Sequence, residues 1–292
     1  MSEIRCVAQG QDLLGEGPAW VPAEGRIYWF DIQGKRLNWL SHSDGARGGF
    51  DLPVRASVAT PVAGGGLVLV TEAGLALFDT SHGQFDLVRP MDFGSGFRTN
   101  DGKIDVAGRL WWSTMDDDGG KRTGLLYRTD PDGVTHQVLD DIHIANTVSC
   151  SPNGKTYYFA DSTKSTIWAF PLGSDGALGE RRVFATTIGE ASAPDGSAVD
   201  AHGYLWNAQW GAWRLVRYAP DGSIDRIVRL PVAQPSSCAF GGPDLSTLYV
   251  TSARENLSVE ALAGQPLAGG LFAFEPGVSG LPLPAFAGRL SA

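Results

Sequence analysis

Four side chains that carry oxygen atoms occupy nearly the same place in a pattern that repeats along the chain. Asn100, Asn146 and Asp195 each precede by eight residues a glycine that opens an apolar run, and Glu16 precedes such a glycine by nine. Carboxylate and amide oxygens are the ligands that hard divalent cations such as Ca²⁺, Mg²⁺ and Mn²⁺ prefer. Burying two carboxylates together is costly unless a cation or bound water compensates their charge. These residues could therefore form a metal site if the fold brings them together.

The apolar runs that follow these residues define a repeat. Each run begins at a glycine, or at Ser246 in the last unit, and alternates with the two-residue period of a strand. The successive starting residues are 41, 42, 46, 49 and 43 positions apart. The six runs are GRIYWFD (25–31), GLVLVTE (66–72), GRLWWSTM (108–115), GKTYYFAD (154–161), GYLWNAQW (203–210) and STLYVTSA (246–253).

Repeats of about 40 to 50 residues with about four short strands each are typical of β-propeller blades. We therefore predict an all-β fold, a six-bladed β-propeller with four-stranded blades, in which residues 1–292 form one domain. A β-sandwich is a weaker alternative because repetition is not expected of it. Either the N-terminal segment IRCVA (4–8) or the C-terminal segment PLPAFAG (282–288) should complete the last blade, and the one expected helix lies within 258–270.

The innermost strand of each propeller blade lines a central channel, so equivalent positions of successive blades converge there. We therefore expect Glu16, Asn100, Asn146 and Asp195 to meet at one end of the channel. The repeat alone leaves two interpretations open. One is a divalent metal site, and the other is a set of strand-capping residues around a channel filled with water.

Composition and charge limit the partners of this chain. The formal net charge is −9 and the pI is about 5.0, which disfavours nucleic acid and anionic membrane surfaces because phosphates are bound by basic patches. The three cysteines lack zinc-site spacing, and we find neither a leader pattern nor an apolar run of about 20 residues. We expect a cytoplasmic protein with no nucleic-acid or membrane partner, as a monomer or weak homodimer. The three aspartates at 116–118 are expected in a solvated loop.

Two common catalytic patterns are missing from the sequence. No Gly-x-Ser-x-Gly motif occurs, so a Ser–His–Asp hydrolase has no nucleophile elbow on which to build. No Gly-x-Gly-x-x-Gly fingerprint opens a strand–helix unit, so a dinucleotide cofactor is not indicated.

Four separated segments carry a resemblance to a known family: LGEGPAW (14–20), RTNDGKIDVAGRLWWSTM (98–115), ANTVSCSPNGKTYYFADS (145–162) and PDGSAVDAHGYLWNAQW (194–210). They resemble the senescence-marker-protein-30 family, also called regucalcin and gluconolactonase-like. The segments GGPDLSTLYVTSARENLS (241–258) and PLAGGLFAF (266–274) look most like its bacterial sugar-lactonase branch. The resemblance implies a six-bladed propeller that hydrolyses a sugar lactone, a pentono- or hexonolactone, to the aldonic acid.

The resemblance also implies roles for the residues named above. One divalent metal ion, which could be Ca, Zn, Mg, Mn or Fe, is expected on Glu16, Asn146 and Asp195. Asp195 is also expected to act as the general base, while Glu16 supplies charge and geometry to the metal. Arg98 and Asn100 are expected to contact the substrate.

Several neighbouring residues have alternative roles. Asp101 and His143 are candidate substrate contacts, although Asp101 could instead brace its loop. Trp206 and Trp210 could form an aromatic floor for a sugar ring, although a place in the core is expected for Trp206. Thr147 follows Asn146 where the family often has glycine, and its side chain could narrow the pocket or contact the substrate.

Two functional alternatives remain. A propeller of this kind could act as an esterase or phosphotriesterase, because one fold supports many chemistries. It could also be a non-catalytic calcium-binding propeller. Activity toward lactones, and its dependence on a metal, separates these possibilities.

Overall fold

Glycine-rich turns divide the chain into short strands, and the computed structural model shows these strands paired into six antiparallel sheets of four strands each. It describes residues 2–187, 190–288 and 290. The sheets form the blades of a six-bladed β-propeller, so the predicted fold class is confirmed. The innermost strands of successive blades contact one another in a closed ring around the channel.

The strands follow one another from the inside of each blade to the outside. Blade 1 contains β2 (Gly15–Val21), β3 (Arg26–Asp31), β4 (Arg36–Ser41) and β5 (Arg47–Asp51), and blade 2 contains β6 (Ala56–Pro61), β7 (Leu67–Thr71), β8 (Gly74–Asp79) and β9 (Gln84–Pro90). Blade 3 contains β10 (Phe97–Ile104), β11 (Leu110–Asp116), β12 (Gly124–Thr129) and β13 (Thr135–Ile142), and blade 4 contains β14 (Ala145–Cys150), β15 (Thr156–Asp161), β16 (Thr166–Pro171) and β17 (Arg182–Thr186). Blade 5 contains β18 (Ala193–Val199), β19 (Leu205–Trp210), β20 (Arg214–Tyr218) and β21 (Ile224–Arg229), and blade 6 contains β22 (Pro235–Gly241), β23 (Thr247–Ser252), β24 (Leu271–Phe274) and β1 (Arg5–Ala8).

The N-terminal strand closes the ring. β1 pairs antiparallel with β24, with Arg5 opposite Ala273 and Cys6 opposite Phe272. Of the two segments considered for closure, the N-terminal one therefore completes blade 6. The C-terminal segment instead crosses one mouth of the channel and forms a single bridge from Phe286 to Val62.

Helical structure is short. The α-helix, α1 (Val259–Ala263), covers only part of the predicted range, and the Ser258 side chain caps it by accepting a hydrogen bond from the Ala261 N–H. A 3₁₀ turn spans Ser162–Lys164. No helix in the described part of the chain is long and apolar enough to cross a membrane.

The hydrophobic core lies between neighbouring blades, because the channel occupies the axis of the ring. At the junction of blades 3 and 4, the fully buried rings of Trp111 and Tyr157 lie with their centroids 4.4 Å apart. At the junction of blades 5 and 6, Trp206 meets Phe274 edge to face at 6.0 Å. Trp206 therefore belongs to the core, as expected, and aromatic packing of this kind holds the blades at fixed angles around the channel.

Two buried aspartates hold the turns between the first and second strands of blades 3 and 5. Asp200 accepts hydrogen bonds from two N–H groups of its turn, from Trp206 Nε1 at 3.0 Å and from the Arg217 guanidinium at 2.6 Å. Asp105 likewise binds its own turn and Trp111 Nε1. Each carboxylate therefore links a turn to the core of its blade.

We expect Asp200→Asn to lower the free energy of unfolding by about 3 kcal/mol, because it leaves Arg217 largely buried with one charge partner fewer. Urea denaturation followed by far-UV circular dichroism measures this change. Asp118→Asn is the matched control, since Asp118 is 74% exposed and pairs with the exposed Lys121, and it should change stability by less than about 0.5 kcal/mol. Equal effects of the two substitutions would contradict the prediction.

Candidate metal centre

A β-bulge interrupts the inner strand of every blade. The pairing register shifts between Glu16 and Ala19, Ala56 and Val58, Thr99 and Gly102, Asn146 and Ser149, Pro194 and Ser197, and Pro235 and Cys238. In blades 1, 3, 4 and 5 the shift starts at or next to a predicted site residue. Because a bulge changes the direction in which side chains leave the strand, it can aim these residues into the channel.

One cavity of about 260 Å³ collects most of the predicted site residues at one end of the channel. Glu16, Arg98, Asn100, Asn146 and Asp195 all line it, so the structure brings together four inner strands as the sequence spacing predicted. We call this space the polar cavity. Blades 2 and 6 contribute no residue of their inner strands to it.

Of the carboxylates that line the polar cavity, those of Glu16 and Asp195 are withdrawn from solvent. Glu16 is 8% exposed and Asp195 is 6% exposed. Burial, with the charge of Asp101 adding to it, raises the pKa of Glu16 to about 8. Burial, followed by the charges of Glu16 and Asp101, raises the pKa of Asp195 well above its ordinary value. The ionised pair is therefore unfavourable in the protein alone, and a bound cation would remove that penalty.

Hydrogen bonds fix the orientation of both amides. Asn146 Nδ2 donates to Ser162 Oγ at 2.9 Å, which leaves Asn146 Oδ1 facing Asn100 Nδ2 at 3.3 Å. Asn100 Nδ2 also donates to the Ala145 carbonyl, and Asn100 Oδ1 accepts from Arg98 Nη1 at 2.7 Å. Each amide oxygen accepts one hydrogen bond and keeps a lone pair, but the oxygen of Asn100 faces the positive charge of Arg98, which disfavours a cation there, whereas the oxygen of Asn146 faces a neutral amide.

The donor set fits a divalent cation held by oxygen. Within the described part of the chain, no three His, Cys, Asp or Glu side chains form a cluster able to hold a metal. Glu16, Asn146 and Asp195 differ from such a cluster because they combine two carboxylates with one amide oxygen. This set favours Ca²⁺, Mg²⁺ or Mn²⁺ over metals that need thiolate ligands.

A network of charged and polar groups that sequence reasoning missed surrounds the polar cavity. Arg98 Nε donates to Asp117 Oδ1 at 2.8 Å, and Arg55 Nη1 donates to Asp117 Oδ2 at 2.6 Å. Gln33 continues the network, because it accepts from Arg55 Nη1 and donates to Glu255 Oε1 at 3.0 Å. The expectation of a solvated loop is wrong for Asp116, which ends β11 and is buried. Asp117 and Asp118 lie in an exposed turn, as expected, and Asp117 also lines the cavity and pairs with two arginines.

Apolar side chains complete the wall of the polar cavity. Leu14, Met115, Ile144 and Trp210 line it beside the polar residues. Trp210 can therefore pack against a ligand, as the aromatic floor proposed from the sequence requires. Trp206 does not line the cavity and cannot take this role. A cavity with one polar wall and one apolar wall suits a molecule that has both hydroxyl groups and a C–H face.

Asp101 and His143 lie outside the residues that line the polar cavity. Asp101 accepts hydrogen bonds from the N–H groups of Gly102 and Val148, both at 2.8 Å. Its bracing role is therefore the one the geometry supports. The His143 side chain is one-third exposed, and its Nδ1 lies 3.5 Å from Asp161 Oδ2. It therefore packs beside the end of β15 and not in the cavity.

Thr147 adopts a left-handed backbone conformation with φ of 61°, which explains why glycine suits this position. Its hydroxyl donates to the Asp195 carbonyl at 2.7 Å and accepts from Asn207 Nδ2. Thr147 is fully buried and does not line the polar cavity. Both expectations for this side chain are therefore wrong, because it braces the strand that carries Asp195.

Known proteins of similar sequence provide evidence that is independent of this geometry. Residues 14–254 match the family described as "SMP-30/Gluconolactonase/LRE-like region". The chain is 36% identical over 288 residues to a 6-deoxy-6-sulfogluconolactonase of Pseudomonas putida, covering 98% of this chain and 99% of that protein. It is also 36% identical to an L-arabinolactonase of Azospirillum brasilense, covering 97% and 95%.

A solved structure has the same architecture. It is that of a calcium-binding protein, regucalcin, from Agrobacterium tumefaciens, and it superposes with a TM-score of 0.92 at 33% sequence identity. The superposition covers 97% of this chain and 96% of that one.

The raised pKa of Glu16 predicts how the metal-free protein responds to pH. A carboxyl group whose pKa rises from 4.5 to about 8 on folding binds more protons in the folded state, so stability falls as pH rises through this window. Glu16→Gln cannot ionise at this position. At about pH 8.5 we expect the metal-free variant to be more stable than the wild type, by roughly 2–4 kcal/mol in free energy of unfolding.

Denaturant titrations with chelator present, at about pH 4.5 and about pH 8.5, measure this difference. Glu3→Gln, at an exposed position, is the control and should behave like the wild type. Millimolar CaCl₂ or MnCl₂ should stabilise the wild type and leave Glu16→Gln unchanged. Identical pH dependence of the wild type and Glu16→Gln would show that Glu16 carries no such penalty.

Proposed function

The chain belongs to the SMP-30/gluconolactonase/LRE-like family, and from this premise we propose that it is a metal-dependent hydrolase that opens a sugar lactone to the aldonic acid. The observation that carries the proposal is the polar cavity, where two buried carboxylates and an oriented amide oxygen face one small space. The proposed substrate is a pentono- or hexonolactone, as the lactonase relatives suggest.

In this proposal, Glu16, Asn146 and Asp195 hold one divalent cation. When bound there, the cation would act as a Lewis acid and stabilise negative charge on the lactone carbonyl oxygen, an effect typically worth several kcal/mol. Glu16 has a fixed place for this role, because Gly17 N–H donates to its Oε2 at 2.9 Å. Ser162 fixes Asn146 in a similar way.

Asp195 is the proposed general base. It takes a proton from the water that attacks the lactone carbonyl carbon, and it returns that proton to the ring oxygen when the carbon–oxygen bond of the ring breaks. No donor side chain is bonded to its carboxylate in the described structure, and Gly196 N–H is its hydrogen-bonding neighbour. An oxygen of Asp195 thus remains free to accept the proton.

Arg98 and Asn100 are the proposed substrate-orienting residues. Arg98 is held by Asp117 and by the Thr99 carbonyl, so its guanidinium cannot swing away from the cavity. A sugar lactone offers several hydroxyl groups that accept and donate hydrogen bonds, and the Arg98–Asp117 pair supplies both kinds of partner. Trp210 lies on the apolar side, where the C–H face of a sugar ring could pack.

Initial rates over a panel of γ- and δ-aldonolactones, corrected for spontaneous opening, test the proposed reaction. We expect acceleration of at least one pentono- or hexonolactone, loss of that rate with chelator and recovery with a divalent metal. Turnover of a chromogenic phosphotriester in place of every lactone would favour the esterase or phosphotriesterase alternative. Metal binding without turnover of either class would favour the non-catalytic calcium-binding alternative.

Substitution of Asp195 tests its proposed role as base. Asp195→Asn should lower kcat at least 10²-fold, because an amide cannot accept the proton. Metal affinity of the same variant, measured by calorimetry, separates loss of the base from loss of the metal. Asp118→Asn is the charge-matched control and should retain the wild-type rate, and a wild-type rate for Asp195→Asn would remove Asp195 from the mechanism.

A further inference from the structure

A second and larger cavity lies at the opposite end of the channel. Its volume is about 530 Å³, which falls in the range of small-molecule sites. Its wall is mostly apolar, and among its residues are Val58, Ile104, Val199, Phe240 and Leu281. We call this space the apolar cavity. None of its lining residues also lines the polar cavity.

A cluster of hydrogen bonds joins blade 4 to blade 5 beside the polar cavity. Thr147 Oγ1 and Asn207 Nδ2 both bind the Asp195 carbonyl, at 2.7 and 2.9 Å. Ser197 Oγ donates to Thr147 Oγ1 at 3.2 Å. The two cavities share no lining residue, so each has its own chemistry.

Two polar groups in the wall of the apolar cavity have hydrogen-bonding capacity to spare. Lys103 Nζ donates to the Ser197 carbonyl, which uses one of its three N–H groups. Thr60 is 2% exposed, and its hydroxyl has no partner among the described residues. An orphaned buried hydroxyl is unfavourable because it has lost its water partners without gaining others.

These two groups lie on neighbouring inner strands. Gly102 on β10 and Val58 on β6 face each other closely, because a Cβ added to Gly102 would lie only 2.8 Å from Val58 Cγ2. Lys103 follows Gly102 directly, and Thr60 follows Val58 by two residues. Because successive side chains of a strand alternate between its faces, Lys103 points away from β6, and its Nζ reaches the Ser197 carbonyl on β18. Lys103 and Thr60 therefore occupy different parts of the wall.

The carboxylate of Asp101 is the negative charge in this wall, and it already accepts hydrogen bonds from the protein. Asp101 also lines the apolar cavity, but both of its oxygens accept backbone N–H groups. Lys103 thus presents the donors that are free for a ligand. The apolar remainder of the wall argues against a sugar, because the hydroxyl groups of a sugar would lose their partners there.

A short C-terminal strap, residues 281–285, crosses the mouth of the apolar cavity. It is fixed at one end by the bond from Gly280 N–H to the Leu245 carbonyl, and at the other by the bond from Phe286 N–H to the Pro61 carbonyl. Between these points the strap makes no hydrogen bond to the described residues. The strap can therefore shift to admit a ligand while both of its ends stay anchored.

We propose that the apolar cavity binds a small carboxylic acid with an aliphatic or aromatic body, whose carboxylate pairs with Lys103. The apolar body of such a molecule matches the wall, and its carboxylate oxygens accept hydrogen bonds from the free donors of Lys103. This site is separate from the polar cavity and does not depend on the reaction proposed there.

Calorimetric titration of the full chain with sodium octanoate, below its micelle concentration, tests the site. Lys103→Met removes the ammonium group and should weaken octanoate binding at least about tenfold, whereas Lys103→Arg should largely restore it. Ala239→Leu fills part of the cavity and should also weaken binding. Lys121→Met, at a side chain that is 73% exposed, is the matched control and should leave binding unchanged.

A comparison on the wild-type protein keeps the test independent of how the variants fold. Octan-1-ol has the same apolar body without the charge, and we expect it to bind at least about fivefold more weakly than octanoate. Undetectable octanoate binding at millimolar concentration would overturn the proposal. Equal binding of octanoate to the wild type, Lys103→Met and Ala239→Leu would also overturn it.

Discussion

The burial of two carboxylates in one small cavity is the constraint on which the site depends. Burial and the charge of Asp101 raise the pKa of both Glu16 and Asp195, Glu16 adds to the rise at Asp195, and Arg98 opposes these shifts only in part. Arg98 is committed to Asp117, which in turn is shared with Arg55. In the proposed function, a single divalent cation would supply the two positive charges that these arginines cannot. The protein would then recover, on binding the metal, the free energy that this unfavourable arrangement costs.

The propeller makes such an arrangement possible because its blades are held rigidly at their junctions. Aromatic pairs such as Trp111 with Tyr157 fix one blade against the next. The inner strands then have no freedom to move apart and relieve the repulsion between the carboxylates. The bulge in each inner strand adds local control, because it sets the direction of one side chain without changing the rest of the blade.

Sequence spacing could predict which residues converge, because the propeller repeats its inner strand at a regular distance from the following glycine turn. The spacing could not predict which of two consecutive residues in a bulge lines the polar cavity and which lines the apolar cavity. Asn100 and Asp101 are consecutive, yet Asn100 lines the polar cavity and Asp101 lines the apolar one. Asp117 was missed for another reason, because its partners Arg55 and Arg98 lie in different blades and no local pattern connects them.

The same bulges explain why the channel has two ends with different chemistry. A regular strand alternates its side chains between two faces, so a residue and its immediate neighbour cannot both reach the axis. The extra residues of a bulge remove this restriction and let adjacent positions face opposite ends of the channel. Thr147 shows what this arrangement requires: its backbone is left-handed, a conformation unfavourable for a β-branched residue. Its hydroxyl offsets that cost by binding the Asp195 carbonyl and the Asn207 amide, so the residue that strains the backbone also holds blade 4 against the strand that carries Asp195.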